Sequence, residues 1–384
     1  MPNVQFGICG DLDFHSTPEE LNPLPTLKKD EVGKMLLKLN REPLEKERLV
    51  VEHGDLKNEI EKLLRLGVIR EEGKIHVNFT FLDAKDSRFI FKECEPFAEK
   101  LCQLFLERKD ELFDVLNRYE NSRIPKEKLA FMIVGCYLLD WGALELFRKS
   151  GLADNLKSQP GGNEYTLWGE EEVEQMLKRI YWGGHAFKTG EYMFHTFGDH
   201  HNYTQRNALP DLFHIFSDFD FDGGEEYKHL LFDKRKELGV ELGDIMNKIY
   251  MGERLEHDKN IQFLKKIGYV FEEKDLVLNI PYFTENEVPI ITEAVEPFIG
   301  ELERWTENEL PILEEKLESI RPIQNGVPFE EVFVQLWHVV FGLTNKYLTE
   351  NGMLYDTYEE GKGYLPGLFK GNVLKLVLKR FFSH

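Results

Sequence analysis

The stretch Ile60-Glu61-Lys62-Leu63-Leu64-Arg65-Leu66-Gly67-Val68-Ile69 decides the reading of this chain. Ile60 and Leu63 sit at helical spacing, Gly67 supplies a residue that can end a helix in the left-handed conformation, and Arg70-Glu71-Glu72-Gly73-Lys74 follows. An alternating apolar run, Ile75, Val77, Phe79 and Phe81, then predicts a hairpin turning at Glu72-Gly73. The pattern returns 201 residues later as Ile261, Leu264, Gly268 and Val270, followed by Glu272-Glu273-Lys274-Asp275 and a second apolar run. The same displacement carries Glu95-Pro96-Phe97 onto Glu296-Pro297-Phe298, Gly151-Leu152 onto Gly352-Met353, and Lys178-Arg179 onto Lys379-Arg380. Separated anchors in one register predict a tandem duplication.

Working outward, residues 26–40 place Val32, Met35, Leu36 and Leu39 on one helical face, a second short helix runs from Pro43 to about Glu52, and Asp55 is positioned to cap a third from Leu56 to Leu66. Beyond the hairpin, 92–119 and 126–149 read as long helices with apolar faces, echoed at 292–318 and 328–350, and a last amphipathic helix at about 170–182 is echoed at 371–382. The expected fold is α+β and mostly helical, with a first repeat over 1–182 (module 26–82), a connector over 183–207, and a second repeat over 208–384 (module 240–284). The second module is about nine residues shorter between Tyr250 and Lys259, so its middle helix is expected to be reduced or absent.

A chain of 384 residues is long enough for two cores. No apolar run approaches the roughly 20 residues that cross a bilayer, and Met1-Pro2-Asn3 opens no secretory leader. Cys9, Cys94, Cys102 and Cys136 form no CxxC pair, which suits reduced thiols in a cytoplasmic protein with no membrane partner. The net charge of −21 opposes nonspecific attraction to nucleic acid, so such a role must rest on a local basic surface.

The order helix, helix, helix, hairpin over 26–81, with the Ile-x-x-Leu-x-x-x-Gly-x-Ile junction, resembles the winged helix-turn-helix superfamily of bacterial regulators. The resemblance implies a DNA-binding, transcription-regulator-like protein working as an intramolecular pseudo-dimer. It implies that Lys57, Asn58, Lys62 and Arg65 face DNA from the recognition helix, with Arg70 and Lys74 of the wing on the backbone. The second-copy counterparts are Lys259, Asn260, Lys265 and Lys266. Glu59, Glu61, Glu71 and Glu72 interleave with the first set, the pattern of a solvated helix face. The alternative is therefore a protein-interaction scaffold that keeps the fold without binding DNA.

The connector concentrates imidazoles. His195, Asp199, His200 and His201 offer a ligand set for a divalent metal, the basis of a third reading as a metal-dependent enzyme. Phe187, Tyr192, Phe194, Phe197 and Tyr203 favour instead a partly buried hairpin turning at Gly190, whose histidines satisfy structural hydrogen bonds. No other cofactor is expected, and a small-molecule effector at the seam between repeats fits the regulator reading. No GxSxG elbow, P-loop or dinucleotide loop is present, so no catalytic residue is assigned. Asp218-x-Asp220-x-Asp222-Gly223 begins like a calcium loop, but His229 stands where the bidentate Glu belongs.

Overall fold

The computed structural model describes residues 4–11, 18–119, 123–153, 159, 164–171, 180–199, 224–359 and 363–382. The acidic stretch at 218–222 and the histidines His200 and His201 lie outside the described residues. The fold is α+β and mostly helical, and the described strands form several small sheets.

In the first module, helices α1 (Leu24–Leu27), α2 (Asp30–Arg41), α3 (Lys46–Glu52) and α4 (Lys57–Arg65) precede strands β2 (Ile69–Glu72) and β3 (Lys74–Val77). Val32, Met35, Leu36, Leu39, Leu49, Ile60, Leu63, Ile75 and Val77 meet in one buried cluster. Each such side chain, fully buried, contributes about 1.5–3 kcal/mol. The apolar run after the turn does not stay in one hairpin. β3 ends at Val77, and Thr80–Leu82 (β4) pairs instead with β5 (Glu164–Glu171). β5 is also a correction to the helix expected from about 170, because Glu164–Glu171 alternates as a strand between β4 and β1 (Val4–Asp11). Tyr181 and Trp182, at the other end of that expected helix, belong to β6 (Tyr181–Thr189), and 172–179 lie outside the described residues.

The junction at Gly67 is built twice with the same hydrogen bonds. Gly67 and Gly268 both take positive φ, 68° and 77°. Val68 N donates to Leu63 O at 2.9 Å and Gly67 N to Leu64 O at 3.1 Å; Tyr269 N donates to Leu264 O at 2.9 Å and Gly268 N to Lys265 O at 3.1 Å. This is the Schellman helix ending, which needs a left-handed residue at that one place. Asn78 Nδ2 then holds Gly67 O at 2.8 Å, and Asn279 Nδ2 holds Gly268 O at 3.0 Å. Gly151 and Gly352 end their helices in the same way.

The second copy has α8 (Gly224–Tyr250), α9 (Lys259–Lys266), β8 (Val270–Glu272), β9 (Leu276–Leu278) and β10 (Tyr282–Phe283). Residues 251–258 run without helix, so the counterpart of α3 is missing. β11 (Tyr364–Lys370) stands where β5 does, parallel to β10 as β5 is to β4. Its antiparallel neighbour is β7 (Tyr192–Asp199), the place β1 holds in the first sheet. The segment expected as a connector is thus the β6–β7 hairpin of this sheet, turning at Gly190 (φ 55°). Gly239 and Gly243 bring α8 onto it, since a Cβ at either would overlap Thr189 or Tyr192.

Longer helices complete the chain: α5 (Ala84–Leu106), α6 (Lys109–Leu116), α7 (Lys126–Ser150), α10 (Val288–Leu317), α11 (Arg321–Gln324), α12 (Phe329–Glu350) and α13 (Val373–Phe382). α7 does reach the length and hydropathy of a bilayer span, against the expectation from sequence, but 83% of its apolar window is buried inside the protein. Its middle, Phe131–Gly142, is wound as a π-helix. By contacts the chain divides into two compact units, Met1–Phe97 with Leu144–Leu177 and Glu307–Val340, and Ala98–Ala143 with Lys178–Thr306 and Phe341–His384. Each unit collects segments from both halves of the sequence.

Candidate functional site

On α4 the apolar residues Ile60 and Leu63 face the core, which leaves Lys57, Asn58, Glu61 and Arg65 exposed on the opposite side. Lys57, Glu61 and Arg65 follow one another at i, i+4 spacing, so an acid stands between the two cations. Lys62 Nζ donates to Glu19 O at 2.8 Å and Arg65 Nη2 to Glu20 O at 3.4 Å, so both also hold the short turn ahead of α1. The acids on this face have partners of their own. Glu59 binds Lys29 at 2.6 Å, which holds its carboxyl below the usual range, and Glu71 binds Lys46 at 3.0 Å.

The hairpin is split between solvent and packing. Lys74 is exposed beside Gly73, whereas Arg70 is half-buried and donates through Nη2 to Asn325 O at 2.8 Å. Arg70 lies opposite His76 across the strand pair, and burial together with that guanidinium lowers the His76 pKa. Asn325 continues to Asn40 O at 3.0 Å, and Asn40 to Phe81 O at 3.0 Å. Arg70 therefore anchors the hairpin to the end of α11 and does not stand free for a phosphate.

Of the second-copy candidates, Asn260 is buried and bonded to Glu241 at 3.3 Å, while Lys265 pairs with Glu272 at 2.6 Å. Lys259 and Lys266 are exposed. Asn260 turns inward because α9 enters directly from the 251–258 loop, capped by Asp258, whose side chain accepts from Ile261 N at 2.9 Å.

His195 and Asp199 are both buried on β7, four residues apart on one face. At about 3.3 Å per residue their Cα atoms stand roughly 13 Å apart, too far for one ion bound at about 2.0–2.2 Å. His195 Nδ1 lies 3.4 Å from Cys136 Sγ, with the Trp141 ring edge-on at 4.7 Å, and Asp199 accepts from the Tyr358 hydroxyl. Burial, and secondarily Asp140, raises the Cys136 thiol well above its ordinary value, so it stays protonated. Among the described residues no group of three His, Cys, Asp or Glu side chains is arranged to hold a metal, and none of the four cysteines is in a disulfide.

One cluster is absent from the sequence reading. Asp83 Oδ1 caps α5, accepting from Lys85 N at 2.9 Å and Asp86 N at 3.0 Å, while Oδ2 faces Arg321 Nε at 2.9 Å and Arg41 Nε at 3.5 Å. Asp86, also buried, accepts from Arg321 N at 3.4 Å and is pushed up to about 6 by burial and by Asp83. The second copy has Thr284 and Glu287 at the corresponding positions, a capping box in which Glu287 also takes the Tyr250 hydroxyl at 2.5 Å. The sequence signal was the shared spacing, Asp83-x-x-Asp86 against Thr284-x-x-Glu287. No protein-family model, curated protein or solved structure matches this chain.

Proposed function

We propose that the chain is a regulator-like, DNA-binding protein made of two duplicated winged-helix modules, of which the first alone meets duplex DNA. The second keeps the helix-to-hairpin junction and loses the contact surface. The observation that carries this reading is the difference in what the two modules expose. Residues 24–82 hold twelve Lys and Arg against eleven Asp and Glu in a chain of net charge −21, and they expose Lys57, Asn58, Arg65 and Lys74 on helix and hairpin. Residues 234–283, the matching span once the shortening is allowed for, hold nine against nine, and there Asn260 is buried and Lys265 paired. Asn58 at the start of the helix is the group suited to an adenine edge, and the lysines suit phosphates.

Binding to duplex fragments across a salt series tests the reading. A single module with two to four phosphate contacts gives a slope of log K against log salt of about −2 to −4. A slope near zero, with no saturation at about 50 mM salt, refutes it.

The pairing of Glu59 with Lys29 and Glu71 with Lys46, together with the carbonyls held by Lys62 and Arg65, favours a second reading. There the module is a protein-interaction scaffold whose charges serve its own surface. Surface pairs of this kind are worth about 0–1 kcal/mol and exchange readily, so phosphate can compete for these cations if DNA is the partner.

A further inference from the structure

Four acids interleave with the cations of helix α4 and its hairpin, and three of them are paired within the protein. Glu59 meets Lys29 at 2.6 Å, Glu71 meets Lys46 at 3.0 Å and Glu72 meets Arg70 at 3.7 Å. Glu61 is the exception. It is exposed, and its carboxylate makes no hydrogen bond or ion pair among the described residues. Arg65 stands four residues after it, the favourable order for a helix ion pair, yet Arg65 turns to Glu20 O at 3.4 Å. The carboxylate is thus left on the outward face beside Lys57 and Asn58, with its full capacity to accept hydrogen bonds.

An unpaired acid on a DNA-facing surface is unfavourable where it meets phosphate, because like charges repel. At a base edge it discriminates. In the major groove cytosine presents its N4 amine, a donor that a carboxylate accepts from, whereas guanine O6 and N7 and thymine O4 are acceptors that a carboxylate repels. Adenine sets its N6 amine beside the acceptor N7, a pattern that suits the amide of Asn58 better than a carboxylate. Asn58 and Glu61 are three residues apart on α4, so they stand about 4.5 Å apart along the helix axis, against about 3.4 Å between successive base pairs. Resting on the reading of the first module as DNA-binding, we propose that Glu61 is a specificity-determining residue. It accepts from the N4 amine of a cytosine about one or two base pairs from the adenine read by Asn58.

Selection of bound duplexes from a random library by the full chain tests this, followed by anisotropy on the selected duplex and its single-base variants. Wild type should select a site with a cytosine close to an adenine. Glu61→Gln, which exchanges the carboxylate for an amide of similar shape, should change that cytosine to adenine, since an amide pairs with N6 and N7 together. Glu61→Ala should bind the selected duplex and its cytosine-substituted variants alike, where wild type separates them about five- to a hundredfold. All three forms should melt alike, because the side chain exchanged has no partner among the described residues. Wild-type binding without base preference, or the same base at every position for wild type and both variants, would overturn the inference and leave the DNA reading standing. So would a Glu61-dependent position that holds a base other than cytosine. Tighter binding of every duplex by Glu61→Ala, by one common factor, would overturn it too, because that is the mark of an acid that only repels phosphate. Absence of binding by all forms would remove the DNA reading itself, and this inference with it.

Discussion

The two modules share a junction and differ at their edges. Around Gly67 and Gly268 the helix ending, the asparagine that closes it and the hairpin entry match bond for bond. At the start of the following long helix they diverge. The first module uses two buried carboxylates, Asp83 facing Arg41 and Arg321 and Asp86 beside Arg321, the second a Thr–Glu capping box joined to Tyr250. The backbone geometry at the junction is the same in both, and the charged groups around it differ. The same division separates helices α4 and α9: both bury their apolar residues, and their outward faces differ.

The largest expected effect breaks the cap of the first module. Asp83→Ala removes a helix cap and leaves Arg41 and Arg321 without their shared acceptor, so unfolding in urea should show a loss of about 2–4 kcal/mol. The matching change in the second module, Thr284→Ala, should cost about 1 kcal/mol. Near-equal losses would contradict the contrast drawn between the two caps.

Asp86 is next, with the opposite sign. Its folded pKa of about 6 lies above the ordinary carboxyl value of 3.8. The folded state therefore holds this proton more tightly, and the contribution is present below pH 4 and lost as pH rises through 6. Asp86→Asn should raise stability at pH 7.5 by up to about 3 kcal/mol, the linkage value of a two-unit shift. It should also flatten the fall between pH 4 and 6 in a series of urea titrations. An Asn variant less stable than wild type at pH 7.5 would show that Asp86 works as a charged partner of Arg321. The smallest pair compares equals: Asn78→Ala and Asn279→Ala each lose one side-chain bond to a glycine carbonyl, and each should cost about 0.5–1.5 kcal/mol by the same titration.

The junction was legible in sequence because helix period, glycine and alternation are local signals, and Gly67, Gly190 and Gly268 take positive φ as expected. The lack of helix over 251–258 was legible from the spacing alone. What escaped depends on partners far along the chain. Thr80–Leu82 reads as a continuation of the hairpin until β5, more than eighty residues later, takes it as a parallel neighbour. The helix expected from about 170 gave way to strand at its start for the same reason, since β5 is buried between two strands. Arg70 looked like a phosphate contact because nothing local announces Asn325. Asn260 looked equivalent to Asn58 because alignment preserves position and not the direction from which the helix is entered.

The most direct test of the central claim is fluorescence anisotropy of labelled duplex fragments against three forms of the full chain. These are wild type, Lys57→Ala with Asn58→Ala and Lys74→Ala, and Lys259→Ala with Lys266→Ala. The account predicts that the first-module variant loses at least tenfold in affinity and that its salt slope falls by about 2, the two phosphate contacts removed. The second-module variant should bind as wild type does. Equal losses in both variants, or wild-type binding that neither changes, would contradict a protein that meets DNA through its first module alone.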